Sequence, residues 1–358
     1  MSHPVTTADI AVVGGGIIGL ATAERLTAAG LTVVVVDELG IAGGATGASG
    51  GLVRAFAPSD DDQGFAAAGL TVYRKRGWRG LWPAVRGGGG LTFLAPGDRA
   101  GASSRVASLR AAGHEAELLT ADAITARFPG LRTAPGEFAV HEPEAGWLPV
   151  REVAAAMVRD AGPLLRVVQA RATRLLTSGT RVVGVRTDTG TVEARAVLLA
   201  AGTGSTPLAA GVGITLPLRT RAVGYCLFRL DGPAPALPAV VDRATGAWLR
   251  PWNTASVVLA GVHSPLVDVP ATVVHGVPDH EVERVRRVLL PRLPQLAGAP
   301  AVGGVTAHDA MSPGGAASVD VWPGADGLVT ATGWNGGGFK LAPAVGERAA
   351  GMLRKVMA

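Results

Sequence analysis

Three glycines spaced Gly14-x-Gly16-x-x-Gly19 follow the apolar run Ile10–Val13, and an acid, Asp37, closes the next β-branched run. The first glycine permits a tight turn, the second lets a pyrophosphate approach the backbone, and the third allows close helix–strand contact. Phosphates then meet free N–H groups at the positive end of a helix. Asp37 can accept hydrogen bonds from ribose hydroxyls, and its charge disfavours a 2′-phosphate. The spacing marks a dinucleotide site without separating NAD from FAD. His263, directly after the strand-like run Val257–Val262, is a candidate pocket residue. Trp248, Trp252 and Trp334 are candidates for an aromatic enclosure of an amine. The match Gly47-Ala48-Ser49-Gly50-Gly51 to a serine-nucleophile elbow sits after the second strand, inside a glycine-rich loop, which argues against a hydrolase. The seven histidines and the single Cys226 show no metal-ligand spacing, so no metal is expected.

The elements that must position these residues read as follows. Residues 10–13, a helix after Gly19 that stops at Gly30, and residues 32–36 make a β–α–β unit. Helical patterns are expected at 61–86, 101–112, 120–127, 150–161 and 279–290, and from about 342 to the end. Strands are expected at 164–176, 180–187, 191–200, 222–229, 246–250, 256–262 and 328–332. Alternating helices and buried strands imply an α/β class with a parallel sheet. Residues 1–86, 150–217 and 306–358 are expected to form a discontinuous dinucleotide domain, and 87–149 with 218–305 a second, inserted α+β domain on an antiparallel sheet.

Two further segments, Gly43–Arg54 and Ala331–Pro343, together with Glu144-Ala145-Gly146-Trp147 and Ala200-Ala201-Gly202-x-x-Ser205, resemble the D-amino-acid-oxidase-type superfamily of FAD enzymes. The likeness is greatest to its glycine oxidase and sarcosine oxidase branches and covers essentially the whole chain. It implies a Rossmann-like FAD domain of the glutathione-reductase type. Ile17 and Ile18 would contact the pyrophosphate, and Asp37 with Glu38 the adenosine ribose. Ala45, Thr46, Gly50, Gly51 and Leu52 would wrap the rest of the cofactor, with Ala172 at the adenine and Gly202 at the turn. Gly336, Gly337, Gly338, Phe339 and Lys340 would approach the flavin ring, where backbone N–H groups stabilise negative charge. The resemblance also implies that Arg54 and Lys340 hold a substrate carboxylate, a planar fork beside a compact ammonium.

This sequence departs from the family pattern at three points. The stretch Thr306–Ala310 lacks the arginine that glycine oxidases carry there, and it lacks the cysteine through which sarcosine oxidases tether FAD. His308 is a conceivable tether, but noncovalent FAD is the expectation. Leu259 stands where the sarcosine oxidases have a lysine that assists oxygen reduction.

Composition sets the outer bounds. Gly (51) and Pro (24) are abundant in the 358 residues, but 48% hydrophobic content supplies a core and excludes disorder as the main reading. A single cysteine excludes an intramolecular disulfide framework. The formal charge is +5, yet only Lys75, Lys340 and Lys355 are lysines, so the arginine excess reads as compositional bias rather than a nucleic-acid signature. The one basic cluster, Tyr73–Arg79, reads as the end of an amphipathic helix. There is no targeting signal and no apolar run of membrane-spanning length, so a cytoplasmic protein is expected. The expected activity is FAD-dependent oxidation of the C–N bond of an amine or amino acid, with oxygen or another acceptor taking the electrons. The alternatives are a 2-hydroxy-acid dehydrogenase using His263 as base, and a non-catalytic or partner-dependent flavoprotein.

Overall fold

The structure is a computed structural model that describes residues 4–57, 60–233, 235–254, 256–271, 276–315 and 317–357. Its first sheet is built on five parallel strands in the order Leu328–Thr332, Thr191–Leu199, Val5–Val13, Val33–Asp37 and Leu165–Gln169. Val33–Val36 are buried throughout, as expected for a strand covered on both faces. One face carries the helices Ile17–Ala28, Asp60–Trp78, Val150–Ala161 and Gly338–Met357, whose apolar side chains share one core with the sheet. The opposite face is covered by the hairpin Ala172–Ser178/Arg181–Thr187 and the helix Ser205–Ala210, through Leu175, Val185 and Leu208. Helices pack closely at Gly346, where a Cβ would come within 2.7 Å of the Ala21 carbonyl carbon, and at Gly69, where it would come within 2.2 Å of Lys340 O.

The second sheet runs Ala301–Met311, Arg219–Arg229, Val257–Val262, Ala247–Pro251, Ala239–Asp242, Gly90–Leu94, Phe138–Glu142, Glu117–Thr120. It is antiparallel except where Ala239–Asp242 meets Gly90–Leu94 in parallel. That junction joins the two distant chain segments expected to build the inserted domain. The expected boundary at 305/306 falls inside the strand Ala301–Met311, which pairs with Arg219–Arg229 along nearly its whole length. Along Arg219–Arg229, Cys226 and Phe228 enter a second core with Leu249 and Leu289. Arg221 and Val223, of opposite parity, line the cavity described below.

Two helix limits differ from the sequence expectation. The helix expected over 61–86 ends at Trp78, because Gly80 adopts φ +66° and reverses the chain. The C-terminal helix starts at Gly338, four residues early, and holds Pro343 inside it. Pro343 has no N–H for the Phe339 carbonyl one turn back. The buried Tyr73 hydroxyl fills that role, donating to Phe339 O at 2.7 Å. Two of the basic residues around Tyr73 are paired within the fold, Arg74 with Glu144, and Arg76 with Glu24 and with Asp160 at 3.1 Å, while Lys75 and Arg79 are exposed. Among the described residues no helix is long and apolar enough to cross a membrane.

Candidate active site

The parallel strands Val5–Val13 and Val33–Asp37 end side by side, and the turn after the first is where the glycine motif lies. Gly14 has φ +115°, and a Cβ there would come within 2.3 Å of the Ala200 carbonyl oxygen. At Gly19 it would come within 2.0 Å of the Gly14 carbonyl. The helix Ile17–Ala28 therefore starts hard against the strand end. Its N-cap, Gly16, has no side chain to cap with, and Thr46 from the next loop accepts the Ile17 N–H at 3.0 Å. Asp37 accepts from Gly15 N (2.7 Å) and Leu39 N (2.8 Å), which locks the two strand ends together. Burial holds its carboxyl above the usual range, with those two N–H groups opposing.

From this point a cavity of about 1220 Å³ runs between the two sheets. That exceeds the roughly 300–1,000 Å³ typical of a small-molecule pocket. One end is lined by Gly14, Gly16, Ile17, Ile18, Asp37, Glu38 and Ala172, and the wall continues through Ala45, Thr46, Gly50, Leu52 and Gly202. The other end holds Arg54, Trp248, His263, Trp334 and the stretch Gly336–Lys340. Twenty-one of the expected site residues thus face one space, although they come from opposite ends of the chain. Gly19 and Gly51 do not line it. Gly51 instead lies against the backbone, where a Cβ would come within 2.2 Å of Leu148 O. Leu259 is fully buried in its strand and is also off the cavity wall. Trp252 lies off it too, beside Tyr225 at 6.2 Å between ring centroids. Cys226 is buried within the second sheet, its thiol pushed up to about 12 by burial, whereas His308 does face the cavity.

Several residues that shape the site carried no signal in the sequence. Arg250 is buried, stacks on Trp147 with 3.9 Å from guanidinium carbon to ring centroid, and donates from Nε to Gly50 O at 2.6 Å. Burial lowers its pKa to about 10. Trp248, one of the aromatic candidates from the sequence, lies between the loop at Gly50 and the strand at Gly261, where Cβ atoms would come within 2.4 and 2.5 Å of its ring. Glu142 is buried and accepts from Ala55 N (2.7 Å) and Phe56 N (2.9 Å), directly after Arg54 in the chain. Its charge acts on both Arg54 and Lys340, and burial raises its own carboxyl above the usual range. An arginine does stand at the wall formed by 306–310, but the neighbouring strand supplies it. Arg221 is registered opposite Asp309 and reaches it at 3.4 Å, and its Nη2 would lie 3.5 Å from a Cβ on Gly336. One arginine among thirty offers no spacing or motif by which to find it.

The end of the cavity at Arg54 and Lys340 is rich in basic groups. Lys340 is buried at 8% exposure, and burial, then Arg54, lower its ammonium to about 7. Burial also lowers the Arg54 guanidinium, with Glu142 opposing, and Arg54 Nε is buried with no hydrogen-bond partner among the described residues. His263 is pulled down by burial and by Arg221, Arg243 and Arg54, so its imidazole is neutral near pH 7. Among the described residues no group of three or more His, Cys, Asp or Glu side chains is placed to hold a metal.

Comparison with known proteins agrees with this geometry. Residues 9–352 match the family described as DAO, FAD dependent oxidoreductase. The chain is 29% identical to the sarcosine oxidase subunit beta of an Arthrobacter species over 242 residues, 64% of this chain and 60% of that protein's length. It is 29% identical to the glycine oxidase of Pseudomonas aeruginosa over 349 residues, covering 94% and 92% of the two chains. Among solved structures, the L-proline dehydrogenase of P. horikoshii superposes with a TM-score of 0.88 over 98% of this chain and 94% of that one. At 19% identity, that likeness shows the fold alone. With its family match running nearly end to end, the chain belongs to the DAO family of FAD-dependent oxidoreductases.

Proposed function

We propose that this protein oxidises the C–N bond of an amine or amino acid that carries a carboxylate. The observation that carries this reading is the meeting of Arg54 and Lys340, 286 positions apart in sequence, in one cavity beside Gly336–Gly338. Arg54 Nε is a buried donor without a partner among the described residues, and a substrate carboxylate would satisfy it. The cavity suits FAD by its length and by its backbone. The glycine turn leaves no room for a side chain at Gly14 and little at Gly15 and Gly16, and Asp37, Glu38 and Ala172 would line the adenosine end. When bound, FAD supplies a two-electron acceptor.

The chain's own residues would do the following. Arg54 and Lys340 hold the substrate carboxylate, which fixes the α-carbon relative to the Gly336–Gly338 loop. Glu142, behind them, offsets part of the positive charge and keeps the Ala55–Phe56 backbone in place. Arg221, paired with Asp309, supplies positive charge beside Gly336, whose own N–H donates to the same aspartate. Trp248 and Trp334 narrow the cavity and limit water. His263 is neutral and able to take a proton from the substrate amine.

The same His263 supports a second reading, oxidation of a 2-hydroxy acid, because such a substrate needs a base for its hydroxyl proton. Anaerobic mixing of the FAD-loaded protein with a panel of amino acids, secondary amines and 2-hydroxy acids separates the two. Bleaching by amines alone supports the proposal, bleaching by hydroxy acids alone favours the second reading, and no bleaching by either favours a non-catalytic flavoprotein. A protein that takes up no FAD ends all three. Noncovalent FAD, a cytoplasmic location, oxygen or another small acceptor, and the two-domain division stated above belong to the same proposal.

A further inference from the structure

We infer that the cavity holds a second anion-binding position at Arg243, and that the substrate carries two acidic groups, one for Arg54 and Lys340 and one for Arg243. This rests on the reading of the site as one that oxidises a carboxylate-bearing amine.

Apart from Arg171, beside Ala172 at the far end, four arginine and lysine side chains line the cavity: Arg54, Arg221, Arg243 and Lys340. Three of them have acids built around them. Arg221 is joined to Asp309, which also receives backbone N–H groups from Gly336 and Ala310. Arg54 and Lys340 share the field of buried Glu142, and Asp62 adds to it at Lys340. Arg243 differs. Its guanidinium makes no hydrogen bond or ion pair among the described residues, and it stands exposed at the cavity wall.

The acid nearest to Arg243 in sequence is committed elsewhere. Asp242 Oδ2 accepts from Arg292 Nη2 at 3.0 Å, while Oδ1 accepts from Ala244 N at 3.1 Å and Thr245 N at 3.2 Å. Those last two bonds close the turn between the strands Ala239–Asp242 and Ala247–Pro251. The Arg243 N–H is itself tied to Phe93 O at 3.1 Å. The backbone that carries Arg243 is therefore held in place, while its guanidinium is left unpaired among the described residues and available to a ligand.

Placement adds to the case. Arg243 stands on a turn of the second sheet, whereas Arg54 follows the short strand Leu52–Val53 and Lys340 lies in the first turn of the helix Gly338–Met357. Each is close enough for Arg243 to depress it, as it does His263. Like charges facing one another across a cavity are unfavourable until an anion lies between them. A single carboxylate held by Arg54 and Lys340 leaves Arg243 unmatched. A planar fork is suited to bidentate contact with a second carboxylate. The substrate class is thus an amino acid or N-substituted amine whose far end is another carboxylate.

The test compares two probes of equal chain length, glutarate and valerate, titrated into the FAD-loaded protein and followed by flavin absorbance and tryptophan fluorescence. Glutarate is expected to bind about tenfold or more tightly than valerate. Arg243→Leu should remove that preference by weakening glutarate alone, and Arg54→Leu should weaken both probes. Equal affinity of the wild-type protein for the two probes overturns the inference and leaves the amine-oxidation reading intact. So does an Arg243→Leu variant that weakens valerate as much as glutarate, or one that releases FAD, since Arg243 would then serve the cofactor. If the leucine variant does not fold, Arg243→Lys keeps the charge and loses the fork. It is expected to lower glutarate affinity several-fold, and unchanged affinity counts against the bidentate contact. Failure to bind FAD at all is a different outcome, and it removes the underlying reading itself.

Discussion

Arg250 donates from Nε to the carbonyl oxygen of Gly50 at 2.6 Å, so a buried arginine of the second sheet holds the glycine-rich loop of the first. The guanidinium is clamped between Trp147 at 3.9 Å and Trp252 at 4.8 Å. Arg250→Met keeps much of the stem and removes the donor, leaving Gly50 O without its charged partner. A loss of about 2 kcal/mol is expected, which is a few degrees in Tm for a chain of this size. FAD affinity should fall with it. Thermal melts with and without FAD check this, and a variant with unchanged melting and unchanged FAD affinity would show that the contact is incidental.

The pH dependence of Lys340 has two readouts. Its folded pKa of about 7 lies below the ordinary 10.5, so folding disfavours the charged form. The destabilisation is fully present below pH 7 and is lost as pH rises toward 10.5. Lys340→Met should therefore stabilise the cofactor-free protein at pH 6, with a benefit that shrinks above pH 8. A pH-independent difference in Tm contradicts this. For ligand binding the sign is opposite. Carboxylate affinity in the wild-type protein falls as pH rises through about 7, and Lys340→Met lowers it about 10–100-fold at pH 6.

Glu142→Gln tests the acid behind the pair. Glutamine can still accept from Ala55 N and Phe56 N through its carbonyl oxygen, so the backbone contacts survive while the charge disappears. Without that charge Lys340 loses a stabilising neighbour, and the pH at which carboxylate binding is lost should move down. A flavin-detected titration of valerate at several pH values measures the shift. An unchanged midpoint leaves Glu142 with a purely structural role.

The Tyr73 hydroxyl compensates for a proline. Tyr73→Phe should cost about 1–3 kcal/mol, because the Phe339 carbonyl loses its donor in a buried setting. Pro343→Ala restores an N–H at the position that can serve that carbonyl. The double variant should then melt above the Tyr73→Phe single variant. Additive losses in the two single variants and their combination would rule the explanation out.

Acid precipitation of the FAD-loaded protein decides the tether. Colour released into the supernatant is expected, since Cys226 is buried within the second sheet. Retention in the pellet, abolished by His308→Ala, would instead mark a covalent bond at the histidine that faces the cavity.

One end of the cavity is legible in the sequence. A tight turn, a helix start and a terminal acid are made by residues close together in the chain. Their physics is local, and Gly14, Gly16, Ile17 and Asp37 were legible for that reason. The helix Val150–Ala161 and the strand Leu328–Thr332 were equally legible, because burial on one face or on both writes a clear period. The tertiary structure alone decided the charge balance of the substrate end. Arg221 meets Asp309 through strand register, Arg250 reaches Gly50 across two sheets, and Glu142 lies behind Arg54 because Leu52–Val53 pairs with Gly146–Trp147. Such contacts depend on how strands are ordered, which no spacing along the chain records. They separate the few arginines at this site from the many that only reflect composition.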